Sequence, residues 1–193
     1  MPDYLEKFEK MRVAGKLAAR TLDMLTDNIK PDVTTEFIDK LGYEFIRDNG
    51  GYSAPLFYRG FKKSLCTSLN HVVCHGIPSD RVLVEGDALN VDVTAIVDEH
   101  YGDTSRMFCV GKTPIKVNNL IDTTYESMMR AISLLKPGLK LGDIGHEIQS
   151  FVEKKATQLL EIFVATELAL HFMNHQIFYI MEEETQGWSL DQA

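Results

Sequence analysis

The sequence predicts an α+β fold in which helices flank a central antiparallel sheet. Three observations predict it: helical apolar spacing over the first fifty residues, short β-like runs between residues 66 and 111, and renewed helical spacing from 116 to 152. The chain has 193 residues, of which 45% are hydrophobic and 25% charged, as in ordinary globular proteins. A chain of this length can bury one sizeable core without disulfide or metal support.

Two helices are predicted before the sheet and two after it. The first covers residues 4–29, and the second opens at Thr34 and ends at a Gly-Gly pair. The later helices cover 116–135 and 141–152, and a Lys-Pro-Gly breaker separates them.

The sheet is predicted from short apolar runs bounded by Gly, Pro or Asp clusters. Residues 52–63 have the pattern of strand or loop. The predicted strand segments are Val72-Val73, Val82–Val84, Ala88–Val97 and Met107–Val110.

Charge and cysteine content exclude several classes of protein. The net charge of −8 argues against nucleic acid as a main partner, because phosphate binding depends on Lys and Arg. No apolar run is long enough to predict a membrane span. Three cysteines without a C-x-x-C pair indicate a reducing compartment, and the first residues have no signal-peptide or transit-peptide pattern. We therefore expect a cytoplasmic location.

Two carboxylates in the predicted sheet are candidate metal ligands. Asn90, Asp92 and Thr94 share one face of a strand, and an ionised Asp among β-branched neighbours is costly without a cation or hydrogen-bond donors. Asp103 enters the returning strand, so an antiparallel pair can place it beside Asp92. Paired carboxylates on adjacent strands suit two divalent ions. The alternative, that Asp103 is an ordinary polar turn residue, stays open at this point.

A histidine follows the apolar run Val72-Val73. His75 lies beside a Gly-x-Pro loop, where a neutral imidazole can hydrogen-bond a substrate or a reaction intermediate. A purely structural histidine explains the same pattern equally well.

Several motifs in order resemble type I methionine aminopeptidase over residues 8 to about 155. The motifs are M-R-V-A-G-K (11–16), S-L-N-H-V-V-C-H-G-I-P (68–78), G-D-A-L-N-V-D-V-T (86–94), Y-G-D-T-S-R-M-F-C-V-G (101–111) and P-G-L-K-L-G-D-I-G (137–145). Because several independent motifs occur in the family's order, the resemblance is far more specific than one short pattern.

The resemblance implies the pita-bread fold and removal of the initiator methionine from nascent chains by a dinuclear metal site. Position by position, it implies that Asp92 is the bidentate metal ligand, Asp103 the bridging ligand, and His75 the substrate-binding histidine that supports catalysis. It implies two divalent ions, which are cobalt, manganese, iron or zinc, since carboxylate and imidazole accept all four. It further implies a monomer whose partner is the N-terminal peptide of a nascent protein, including peptides at the ribosome.

The resemblance ends near residue 155. The family's other three metal ligands, one His and two Glu, belong later in the chain, and no matching motif is recognisable there. We predict that residues 1–155 are an incomplete catalytic domain and that 156–193 are out-of-frame sequence. Deleting one A from a run of A in the codons for E-K-K converts E-K-K-G-Y-S-V-V-R-D into E-K-K-A-T-Q-L-L-E-I, which is the sequence found at 153–162.

With two of five ligands, this chain is expected to have absent or impaired activity. The alternatives are a non-catalytic pita-bread binding module or the product of a truncated pseudogene. An EF-hand-like calcium protein is excluded, because no twelve-residue EF-hand loop occurs.

Overall fold

The computed structural model describes residues 3–155, with side chains from residue 5 onwards. The chain divides after Val117 into two compact units. The first unit combines two helices with an antiparallel sheet, and the described part of the second is helical, so the predicted α+β class is confirmed. No described helix has the length and apolar content needed to cross a membrane.

Two helices open the first unit. Helix α1 spans Asp3–Thr26 and helix α2 spans Thr35–Asp48. Thr34 caps α2, because its side-chain oxygen accepts a hydrogen bond from the Phe37 backbone N–H at 3.1 Å. Both predicted helices are therefore confirmed, although α1 ends three residues before the predicted boundary.

Four strands form the sheet, and β3 is its centre. The strands are β1 (Tyr52–Ser53), β2 (Cys66–Leu69), β3 (Ala88–Val97) and β4 (His100–Cys109). β4 pairs with β3 along its whole length, while β1 and β2 share the opposite edge of β3. All pairings are antiparallel.

One face of the sheet packs on α1 and α2. Alternate β3 residues point into this core. The β3 residues between them point to the opposite face and include the polar side chains, because successive residues of a strand face opposite sides. The fully buried core residues include Leu22, Leu25, Ile38, Ile46, Leu65, Val91, Val93 and Ala95.

Helix α1 and strand β4 approach closely at Gly102. A Cβ added to Gly102 of β4 would collide with the backbone of Ala14 and Gly15 in α1. Glycine at this position therefore sets the distance between α1 and the sheet.

We expect Gly102→Ala to destabilise the first unit by about 1–3 kcal/mol, because backbone must move apart to admit the methyl group. The free energy of unfolding in urea measures this effect. Gly145→Ala in α4 (Leu141–Lys155) is the control, since apart from its own helix backbone nothing lies within 4 Å of a Cβ built there, and alanine at a helix interior should not lower stability. An unchanged urea midpoint for Gly102→Ala would show that the helix and sheet are not in contact at this position.

The second unit contains helix α3 (Ile115–Ser133) and helix α4 (Leu141–Lys155). Both match the predicted helices. Their shared core consists of Ala131, Leu135, Ile144, Ile148, Phe151 and Val152.

Two predicted strands are wrong. Residues 72–73 lie in an exposed loop, and 82–84 form one isolated bridge, between Val82 and Thr34, instead of a strand. Short apolar runs lack the periodicity that separates a strand from an extended loop. The sequence also failed to predict β2, whose four residues include two small polar side chains.

Candidate functional site

The candidate site lies on the face of β3 and β4 that is turned away from α1. Asp92 is opposite Ser105, and Asp103 is opposite Thr94, so the two carboxylates are diagonal neighbours on one face. Both side chains are partly buried. The predicted proximity of Asp92 and Asp103 is therefore confirmed.

A two-residue hairpin produces this register. Asp98 and Glu99 connect β3 to β4 with φ values of 47° and 66°, the left-handed conformation that a tight type I′ turn requires at both positions. Strand pairing begins at once with Val97 opposite His100. Asp103 is thus inside a strand, and its interpretation as a turn residue is wrong.

The two carboxyl groups interact through their charges and through a hydrogen bond between their side chains. Burial, the negative charge of Asp103 and a hydrogen bond with its side chain together raise the pKa of Asp92 to about 7. The backbone N–H of Val93 donates to the Asp92 carboxyl and partly offsets that increase. Two oxygen-donor groups held this close attract a hard or borderline divalent cation, which removes their mutual repulsion.

Cys66 lies beside this pair. It is opposite Asp92 in the register of β2 and β3 and is 8% exposed. Burial, with the negative charges of Asp92 and Asp103, raises the pKa of the Cys66 thiol to about 12. The thiol is therefore protonated at neutral pH and is neither a nucleophile nor a metal ligand in this state. No local pattern distinguishes Cys66 from an ordinary core cysteine, because the sequence does not predict β2.

A buried carboxylate from α2 fixes the start of β2. Asp39 Oδ1 accepts hydrogen bonds from the backbone N–H groups of Ser64 at 2.7 Å and Leu65 at 2.8 Å. Burial is the main reason that the pKa of Asp39 is raised. Lys63 and Glu36 add an ion pair between the same loop and α2. These contacts hold Cys66 next to Asp92.

His75 lies in the exposed loop after β2. Its φ of 54° is left-handed, a conformation that few non-glycine residues adopt. The next residue, Gly76, returns to β2: its carbonyl accepts from Thr67 N–H at 2.8 Å, and its N–H donates to Ser68 Oγ at 3.1 Å. The loop that carries His75 is thus attached to the sheet that carries the carboxylates.

A second anchor joins the beginning of this loop to the beginning of β3. Asn70 Nδ2 donates to Asp87 Oδ1 at 2.8 Å, and Asn70 Oδ1 accepts from Ala88 N–H at 3.0 Å. Asp87 Oδ2 also accepts from Val84 N–H at 2.9 Å. These bonds hold together the two chain segments that lead to His75 and Asp92.

The described residues bring two candidate metal ligands together, Asp92 and Asp103. Within residues 3–155, no group of three or more His, Cys, Asp and Glu is placed to hold a metal ion. The predicted tail, residues 156–193, lies outside the described residues.

The family model described as metallopeptidase family M24 matches residues 9–189, which is most of the chain. The chain belongs to metallopeptidase family M24. The match extends past residue 155, and it includes every candidate site residue and both anchors described above.

Several M24 relatives are methionine aminopeptidases. The protein of Rickettsia prowazekii is 57% identical over 147 residues, covering 76% of this chain and 57% of the relative. Methionine aminopeptidase 2 of Mycobacterium tuberculosis is 41% identical over 169 residues, covering 88% of this chain and 59% of the relative. The Escherichia coli K12 protein is 42% identical over 183 residues, covering 93% of this chain and 69% of the relative.

Solved M24 structures have the same fold. The crystal structure of the Rickettsia prowazekii methionine aminopeptidase has a TM-score of 0.76 and 56% identity, and the match covers 77% of this chain and 60% of that one. The Thermotoga maritima enzyme has a TM-score of 0.75 and 35% identity, with coverage of 80% and 61%. The pita-bread fold predicted from the sequence is confirmed. The chain spans less than two thirds of the length of the Rickettsia and Mycobacterium relatives.

Proposed function

We propose that this chain carries the metal-binding hairpin and substrate histidine of a methionine aminopeptidase, a hydrolase that removes the initiator methionine from nascent proteins. The observation that carries the proposal is the Asp92–Asp103 pair, in which two acidic groups are held together on one face of a hairpin. Membership of M24 and 57% identity to a methionine aminopeptidase support the reaction class.

Each site residue has a proposed role. Asp92 and Asp103 would both hold the divalent ions through their carboxylate oxygens, and His75 would bind the substrate and support catalysis. The oxygen donors fit divalent ions such as manganese, iron, cobalt or zinc. When bound, the ions would supply Lewis acidity for peptide hydrolysis. His75 would orient the scissile group and donate or accept a hydrogen bond at it.

Activity of this chain by itself is proposed to be absent or impaired. Two carboxylates are placed together within residues 3–155, while the resemblance requires five ligands. A cation held by two carboxylates binds weakly, because coordination energy grows with ligand number and charge.

The alternatives are a non-catalytic binding module with the same fold and the product of a truncated pseudogene. The neighbouring carboxyl groups of Asp92 and Asp103 disfavour the binding module, since peptide binding alone gives no chemical need for such a pair. A truncated pseudogene product agrees with the predicted out-of-frame residues 156–193.

The proposed partner is the N-terminal peptide of a nascent protein, with the ribosome as the place of encounter. The net charge of −8 makes direct nucleic-acid binding unfavourable. The described cysteines are all free, which agrees with a reducing, cytoplasmic location. We propose that the protein is monomeric, as expected from the resemblance.

Manganese binding by the full chain tests the proposed site. We expect Mn²⁺ to bind with a dissociation constant of roughly 10⁻⁴–10⁻³ M, because few carboxylates contribute. Asp92→Ala and Asp103→Ala should each abolish binding. Electron paramagnetic resonance of free Mn²⁺ measures it directly.

Asp122→Ala is the control for loss of one negative charge, since Asp122 is exposed on α3. This variant should bind Mn²⁺ like the unmodified chain. Equal affinities for the Asp92, Asp103 and Asp122 variants would overturn the assignment of the two ligands.

A further inference from the structure

The loop that carries His75 returns to β2 at Gly76. The Thr67 backbone N–H donates a hydrogen bond to the Gly76 carbonyl, and the Gly76 N–H donates one to Ser68 Oγ. A Cβ at Gly76 would collide with the backbone of Thr67 and Ser68, so the loop is in close contact with the strand.

Ser68 is on the same sheet face as the carboxylates. Its partner in β3 is Asn90, which precedes Asp92 by two residues and therefore faces the same side. Ser68 is 4% exposed. Its hydroxyl thus joins the acidic face of the sheet to the histidine loop through one hydrogen bond.

We propose that Ser68 is a positioning residue for His75. The Ser68 hydroxyl holds the Gly76 N–H, and this bond fixes the left-handed backbone of His75 relative to Asp92 and Asp103. A left-handed non-glycine residue costs free energy and persists only where its surroundings hold it. The bonds from Ser68 and Thr67 to Gly76 both contribute to that restraint.

The inference rests on the proposed function, in which His75 binds the substrate beside the two carboxylates. In the unmodified chain the backbone beside His75 is held against β2 before a substrate arrives. Preorganisation of this kind lowers the cost of orienting a reacting group. Without the hydroxyl, the loop can open from one side and His75 samples several positions.

The experiment compares the full chain with its Ser68→Ala variant by NMR. We expect the Gly76 amide to exchange with solvent roughly three- to tenfold faster in the variant, because one hydrogen bond is lost. The ring resonances of His75 should shift or broaden at the same time. A merely structural serine would leave the His75 ring unchanged, and that result would overturn the proposal.

Ser105→Ala is the matched control. Ser105 lies on the same sheet face, where it accepts a hydrogen bond from Asn90 Nδ2 at 3.2 Å, and it does not contact Gly76 through any described bond. Its variant should leave both the Gly76 exchange rate and the His75 resonances unchanged. Equal changes in the Ser68 and Ser105 variants would attribute the effect to the sheet as a whole and overturn the proposal.

Gly76→Ala provides a second test, because its methyl group must push the loop from the strand. We expect the His75 resonances to move in the same direction as in Ser68→Ala, and further. A shift in Gly76→Ala without one in Ser68→Ala would show that the main-chain contact positions His75 and the hydroxyl does not.

Added Mn²⁺ separates this proposal from the proposed function. Paramagnetic broadening of the Asp92 and Asp103 amide resonances is expected if these residues bind the ion. Absence of broadening would count against the metal site alone, since the comparison of Ser68, Ser105 and Gly76 variants needs no metal.

Discussion

A chimera of residues 1–155 with the C-terminal part of the Rickettsia prowazekii relative should release N-terminal methionine at least about 10³-fold faster than the present chain. The replaced segment, 156–193, is the part predicted to be out of frame. The donor is suited to this exchange because it is 57% identical over 147 residues and only 57% of its length is matched by this chain. Completing the ligand set restores the metal site, and rate enhancements by complete enzymes commonly exceed 10⁶-fold.

Methionine release from a Met-Ala-Ser peptide with added Mn²⁺ measures the effect. The same chimera with Asp103→Asn is the control, because the donor segment is unchanged while the proposed bridging ligand is lost. It should be inactive. High activity of the present chain, or activity of the Asp103 variant equal to that of the chimera, would contradict the proposed incomplete site.

Sequencing the gene across the codons for residues 153–156 separately tests whether a frameshift is the reason that the ligand set is incomplete. One additional A should restore the reading frame G-Y-S-V-V-R-D after Lys155. If independent clones lack this additional A, the gene encodes residues 156–193 as given, and the protein carries the present tail.

Asp92→Asn should stabilise the chain against unfolding at pH 8, without added metal, by on the order of 2–4 kcal/mol. The pKa of Asp92 is about 7 in the folded chain against an ordinary value of 3.8. Between about pH 4 and pH 7 the folded state therefore holds a proton that the unfolded state has lost. Stability falls as the pH rises from about 4 to 7, and above pH 7 the full cost of the ionised pair is present.

The asparagine amide imitates the protonated carboxyl, because it can donate a hydrogen bond to Asp103 at every pH. The variant's free energy of unfolding should therefore depend less on pH between 4 and 7. Thermal or urea unfolding at several pH values measures this difference. Added Mn²⁺ should stabilise the unmodified chain and leave Asp92→Asn unchanged, by linkage of binding to folding.

Asp80→Asn is the matched control, since it removes the same charge from an exposed loop. Its stability should change by less than about 0.5 kcal/mol at any pH. A parallel pH dependence in the unmodified and Asp92→Asn chains would show that Asp92 does not have a raised pKa.

Much of the fold was predictable because its signals are local. The four helices have apolar positions at helical spacing over fourteen or more residues, and capping and breaker residues mark their ends. β3 was predicted with its bounds because ten residues alternate between faces. β2 was missed, and Val72-Val73 was wrongly assigned, because a run of two to four residues has too few positions to show a period.

For the candidate site, too, the sequence predicted some residues and missed others. Asp92, Asp103 and His75 were selected by motif, and the proximity of the two carboxylates followed from an antiparallel hairpin. Cys66, Asp39 and Ser68 were not selected, because each acts through residues distant in sequence. Asp39 contacts residues 25 and 26 positions later, and no local pattern records such a contact.

The sequence by itself determined the α+β class, the family resemblance and the identities of the candidate ligands, since these depend on residue type and order. Only the tertiary structure decided that Asp103 lies within a strand and that Asp92 opposes Cys66, because strand register depends on the turn and on pairing across the sheet. It also decided the pKa of Asp92, which results from burial and from the distance to a second charge. Burial and proximity are properties of the folded chain, and the order of residues alone does not specify them.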